Sequence, residues 1–125
     1  LRFTPFNMNN IEDFRDYCLS FKGATEKFPF DKTTLVFYVM NKMFCLVDIE
    51  EFEYCNLKCD PDEAEELRAE YNGIKPGYHM SKVHWNSVYF NNDVSTKLLK
   101  ELVVNSYDLV VKGLTKKDQA ALKDM

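Results

Sequence analysis

Three β-patterned runs, over residues 34–40, 42–49 and 54–59, follow one another with connections too short to hold a helix. Nothing else in the chain constrains the fold as strongly. A parallel pair needs a crossover of about a dozen residues or more, whereas antiparallel neighbours can be joined by a two-residue turn. Asn41 and its neighbours supply a tight reversal between the first two runs. In the second run Met43, Cys45 and Val47 alternate against Lys42, Phe44 and Leu46. In the third, Cys55, Leu57 and Cys59 make an apolar side opposite Tyr54, Asn56 and Lys58.

Helices are expected on either side of these runs. Over residues 10–22, Asn9 or Asn10 caps, Glu12 and Asp13 favour the first turn, and Ile11, Phe14, Cys18 and Phe21 recur at helical spacing. Gly23 offers a left-handed stop, and residues 25–32 read as a loop around Pro29. Asp60, Pro61 and Glu63 form a helix start, with Ala64, Leu67 and Tyr71 facing inward as far as Asn72 and Gly73. Residues 74–92 read as loop and then strand, with the strongest β-formers at 88–90. A last long helix begins at Asp93 or Ser95, carries a wide apolar stripe through Leu98, Leu99, Leu102, Val103, Tyr107, Val110 and Val111, and ends at Gly113. The tail over 115–125 is polar, frayed or at most a short helix. Consecutive strands with separate helices make the class α+β: an antiparallel sheet of about four to six strands packed against N-terminal, middle and C-terminal helices.

The chain has 125 residues, the size of one domain, and its 46% hydrophobic content with ten Phe and seven Tyr suffices for one core. A net charge of −4 and a pI near 5.2 exclude a global basic field, so an anionic partner would need a local patch. No apolar run reaches bilayer length, which argues against a membrane partner, and no secretory pattern is visible in residues 1–125. Cys55 and Cys59 on one strand would sit about 13 Å apart, beyond disulfide reach, and Cys18 and Cys45 complete no zinc spacing. Reduced buried thiols and a cytoplasmic location follow as expectations. Met8, directly before the first helix, reads as a natural start, which makes 1–7 an extension of a single domain over 8–114.

Charge is unevenly placed. Residues 60–71 hold six acids and one base, a pattern that usually marks a solvated helix face. Residues 74–92 hold Lys75, His79, Lys82 and His84 and no acid. If 82–86 is extended, Lys82, His84 and Asn86 project outward while Val83 and Trp85 anchor the core. Lys42, Asn56 and Lys58 would share that outer face, which is then either a polar binding surface or an ordinary solvated sheet face. His79 and His84 are five apart and share no face, so they build no metal site. Neither Ser81 nor Ser87 sits in a nucleophile elbow, and no phosphate loop or dinucleotide fingerprint is present. No cofactor, metal site or catalytic residue is expected.

Asn56-Leu57-Lys58-Cys59-Asp60-Pro61, then Pro76-Gly77-Tyr78-His79-Met80, then Lys82 with His84-Trp85-Asn86, resemble the MmcQ/YjbR family of small bacterial proteins. Cys18-Leu19-Ser20 with Gly23 and Thr25-Glu26, Lys42-Met43-Phe44 and Ser106-Tyr107-Asp108-Leu109-Val110 extend the likeness over residues 8–114. One departure is Pro29-Phe30-Asp31, where many relatives carry a glycine after the aromatic residue. The resemblance implies a CyaY-like fold and DNA binding, the latter by analogy with a phage transcription factor. On this chain it points to a surface of Lys42, Asn56, Lys58, Tyr78, His79, Lys82, His84 and Asn86. DNA held weakly and salt-sensitively is one expectation, and a protein or peptide partner on the same face or a sheet edge is the alternative.

Overall fold

The computed structural model describes residues 10–125; the start at Met8 and the extension over 1–7 lie outside the described residues. The chain runs α1 (Ile11–Leu19), β1 (Ala24–Lys27), β2 (Thr34–Val39), β3 (Lys42–Asp48), β4 (Tyr54–Lys58), α2 (Pro61–Glu70), β5 (Ile74–Pro76), β6 (Trp85–Tyr89), α3 (Thr96–Lys112) and α4 (Lys116–Lys123). The six strands form one antiparallel sheet in the order β1-β2-β3-β4-β6-β5. The fold is α+β.

Local chemistry sets the helix starts. The side chains of Asn10, Asp60, Ser95 and Thr115 each accept the backbone N–H three residues on, which satisfies one of the orphan donors of a first turn. α1 ends at Leu19, earlier than its apolar spacing suggests. Gly23, at φ 72°, instead turns the chain into β1, where an added Cβ would lie 2.6 Å from Leu122 of α4. The segment read as a loop after Gly23 is therefore partly a strand. β1 (Ala-Thr-Glu-Lys) has no apolar alternation because it is a sheet edge with one covered neighbour. The tail forms α4, and Leu122 is buried in the main core.

Met40 and Asn41 both take positive φ, 49° and 65°, as a two-residue reversal of the mirror-image type requires. The alternation expected for β3 breaks just beyond it. Phe37 pairs with Cys45 and Tyr38 with Met43, so Phe44 is an extra residue. This bulge turns Phe44, Cys45 and Val47 all toward the helices and leaves Met43 with Leu46 on the opposite face. Ser106 of α3 fits the irregularity: its hydroxyl donates to Phe44 O (2.5 Å) and accepts the N–H of Lys58 (2.8 Å).

Among the described residues all four helices contribute to one core and none to the other face. Phe14, Phe37, Phe44, Val103 and Ile74 are among the fully buried side chains of that core. Cys18, Cys45, Cys55 and Cys59 are free and buried, and burial pushes the Cys45 and Cys55 thiols well above the ordinary range and Cys59 up to about 11. No helix among the described residues is long and apolar enough to cross a membrane.

Candidate site on the open face of the sheet

With the helices on one side, the other sheet face has no second layer among the described residues. Cross-strand partners share a face, so register defines what it presents. Val36 opposes Leu46, Tyr38 opposes Met43, Leu46 opposes Asn56, Asn56 opposes Ser87, Lys58 opposes Trp85, and Tyr54 opposes Tyr89. Val36, Leu46 and Trp85 form a small second core in the middle, flanked by Tyr38, Met43 and Met80.

Residues 77–84 cross this face as a strap. Gly77 donates its N–H to Trp85 O (2.9 Å), and an added Cβ would lie 2.8 Å from Trp85 Cβ, so only glycine permits the approach. Tyr78 donates its N–H to Ser87 Oγ (2.9 Å), and its carbonyl accepts from Asn56 Nδ2 (3.1 Å). Ser87 Oγ in turn donates to Asn56 Oδ1 (2.5 Å), and Lys82 Nζ reaches Gly77 O (3.1 Å). His79 takes a left-handed φ of 60° at the apex, its ring 4.0 Å from that of Tyr78.

This geometry corrects the reading of residues 82–86. They are not one extended stretch: 82–84 form a turn and β6 begins at Trp85. Trp85 is 9% exposed, but its cluster lies on the open face, and Val83 is 57% exposed rather than buried beside it. Asn86 points the other way, under α2, where its Oδ1 accepts from Arg68 Nη1 (2.7 Å) and its Nδ2 donates to Ala64 O (3.4 Å). Asn86 therefore does not join the outward surface. Asn56 does lie on that face, yet it is buried and both amide atoms are engaged, Nδ2 donating to Tyr78 O of the strap and Oδ1 accepting from Ser87 of β6. Lys42, His79, Lys82 and His84 are exposed, Lys58 is half-buried, and Tyr78 is 54% exposed.

The open face is electrically divided. Lys58, Lys82 and His84 stand at the end where β4 leaves and β6 begins, whereas Lys42 pairs with Val39 of the main core and so lies on the helix side of the sheet, not on the outer face expected for it. Asp48, Glu51, Glu53, Tyr54 and Tyr89 stand at the other end. The acidic end holds a cleft of about 530 Å³ lined by Phe30, Asp31, Asp48, Glu51, Tyr54, Tyr78 and His79 among others, continuous through shared residues with a smaller lobe beside Glu53 and Tyr89. Tyr54 meets Tyr78 edge-on at 6.1 Å and Tyr89 at 5.0 Å. The hydrogen bond and repulsion from Glu53, with Asp48 adding to them, raise the carboxyl of Glu51 above its ordinary range. The four acids between Asp48 and Glu53 were the sequence signal for this end of the site. Among the described residues no group of three or more His, Cys, Asp or Glu is arranged to hold a metal.

Comparison with known proteins places this architecture in a family. The YjbR family model matches residues 19–109. The chain is 41% identical to the uncharacterized protein YbdF of Escherichia coli O157:H7, covering 76% of this chain and 79% of that one. It is 27% identical to the uncharacterized protein YjbR of Escherichia coli K12, covering 90% and 96%. A crystal structure of a Deinococcus radiodurans protein with a DUF419 domain superposes with a TM-score of 0.85 at 41% identity, covering 93% of this chain and 89% of that one. A Pseudomonas syringae protein superposes with a TM-score of 0.67 at 27% identity, covering 80% and 97%. The chain belongs to the YjbR family.

Proposed function

We propose that the protein is a non-catalytic binding module that docks a cationic segment of another protein on the open face of the sheet. The observation that carries this reading is the cleft at the acidic end, where tyrosine rings and carboxylates meet beside an apolar centre. Aromatic and apolar contact area with a charged rim is the usual anatomy of a protein-recognition surface. The strap fixes one wall of the cleft by hydrogen bonds, so the surface is in place before a partner arrives.

Nucleic acid is the second reading, favoured by the exposed Lys82 and His84 with Lys58 at the opposite end. Two observations weigh against it. Asn56 and Asn86, the amides that could read bases, are buried and engaged within the fold. Lys58 and Tyr54 are the two ends of the five-residue β4, so the acidic end lies only about 13 Å from the lysines, little beyond a Debye length.

Amide chemical-shift mapping on the full chain separates the two. An acetylated, amidated Lys/Arg-rich peptide should shift residues of the strap, the 48–54 turn and β6, while a short duplex at moderate salt should shift nothing. Duplex-induced shifts at Lys58, Lys82 and His84 with no peptide effect would reverse the assignment.

A further inference from the structure

We infer that the tyrosine-lined cleft at the Asp48 end of the open face is a seat for one arginine side chain of the docked segment. This rests on the reading above and makes it specific.

The carboxylates there are not equivalent. Asp31 is committed to its own loop, accepting from the Thr33 N–H (3.0 Å), the Thr34 N–H (2.6 Å) and the Thr34 hydroxyl. Asp48 spends one oxygen on the N–H groups of Glu50 (2.8 Å) and Glu51 (3.0 Å). Glu51 and Glu53 remain, both lining the lobe beside Tyr54 and Tyr89 and both on an exposed turn, and the neighbouring Glu53 raises the Glu51 carboxyl. Among the described residues the ion pair is Arg15 with Glu26, so no Lys or Arg of the described residues is in ion-pair contact with Glu51 or Glu53. Two like charges held together without a cation favour a ligand that brings one.

The frame around them is rigid. Phe52, between the two glutamates, takes a left-handed φ of 45°, and its ring stacks on Phe90 at 4.2 Å and 14°. That stacking pins the turn and directs its flanking carboxylates away from the core. Tyr54, with Tyr78 and Tyr89 edge-on to it, offers ring surface in more than one orientation. Both glutamates with Tyr54, Tyr78 and Tyr89 line the lobe of about 250 Å³, which shares Asp48, Glu51, Tyr54 and Tyr78 with the neighbouring cleft of about 530 Å³. A guanidinium is planar, stacks on aromatic rings and engages a carboxylate through two parallel N–H groups, whereas an ammonium is a compact, strongly hydrated point charge. A cleft combining ring faces with a carboxylate pair selects the former.

The test is an NMR titration of the full chain with acetylated, amidated Gly-Val-Arg-Val-Gly and with versions carrying lysine or citrulline at the centre. Citrulline keeps the shape and removes the charge. The arginine peptide should bind at least about five-fold more tightly than the citrulline one, with shifts centred on Glu51, Phe52, Glu53 and Tyr54. The lysine peptide should fall between them. Glu51→Gln with Glu53→Gln should erase the preference while the spectrum stays dispersed, and Tyr54→Leu should weaken the arginine peptide more than the citrulline one. Lys116→Gln with Lys117→Gln on α4 should leave the order unchanged. Equal affinity for arginine and citrulline, with shifts still on the open face, would overturn the seat and leave the docking reading standing. Absence of shifts anywhere on that face would overturn both.

Discussion

Gly77→Ala should destabilise the fold by about 2 to 4 kcal/mol, although the residue touches no ligand in this account. The new Cβ would lie 2.8 Å from Trp85 Cβ and 2.9 Å from Trp85 O. Ordinary contacts begin near 3.4 Å, so β5 and β6 must separate by several tenths of an ångström at their shared end. One obstacle is a backbone oxygen, which no rotamer change can move. Overpacking of this kind costs about 1 to 3 kcal/mol. Separation also weakens the Gly77 N–H to Trp85 O bond of 2.9 Å, a further loss of about 1 kcal/mol. Urea unfolding followed by the fluorescence of Trp85, the one tryptophan in the chain, measures the sum. A midpoint within about 0.5 kcal/mol of wild type would show that the motif's glycine does not serve this close approach.

Trp85→Ala should cost about 3 kcal/mol, the low end for a buried large aromatic because its cluster is small and capped only by the strap. A native fluorescence maximum like that of free tryptophan would contradict its burial. Arg68→Ala removes the donor to Asn86 Oδ1 (2.7 Å) and should cost about 1 to 3 kcal/mol in thermal or urea unfolding, since Asn86 is only 2% exposed. Asp93 links pH to stability. Desolvation opposes its ionisation, but N–H bonds from Gly73 and Asn72, both 2.7 Å, outweigh it and hold the carboxyl below its ordinary value. A lowered folded value means stability that is present above the unfolded pKa and lost as pH falls through the folded one. The urea-midpoint gap between wild type and Asp93→Ala should therefore close on acidification; a gap constant down to pH 2 would contradict the linkage.

The sequence was most informative where chemistry is local. The caps at Asp60 and Ser95, the Pro61 start, the reversal at Met40 and Asn41 and the apolar side of β4 all depend on neighbours a few residues apart, and the structure has them. It was least informative where tertiary context overrides periodicity. A bulge at Phe44 cannot be seen in the alternation it breaks, and β1 carries no apolar pattern because it is an edge. The open face shows the same limit. Asn56, Lys58 and Tyr54 were assigned to it correctly from period-two alternation within β4, whereas Trp85 and Asn86 were exchanged because β6 begins three residues after Lys82. The acidic end needs the β3–β4 turn and the strap together, two segments about 30 residues apart in sequence.

The charge of the partner is the central claim, and anisotropy of a labelled cationic peptide and a labelled duplex, each at 50 and 200 mM salt, tests it most directly. Peptide binding should be lost in Glu51→Gln with Glu53→Gln and retained in Lys58→Glu with Lys82→Glu, with no measurable duplex binding at the higher salt. Duplex binding that vanishes in the lysine double variant, with a log–log salt slope near −3.6 as expected for about four phosphate contacts, would contradict it and assign the open face to DNA.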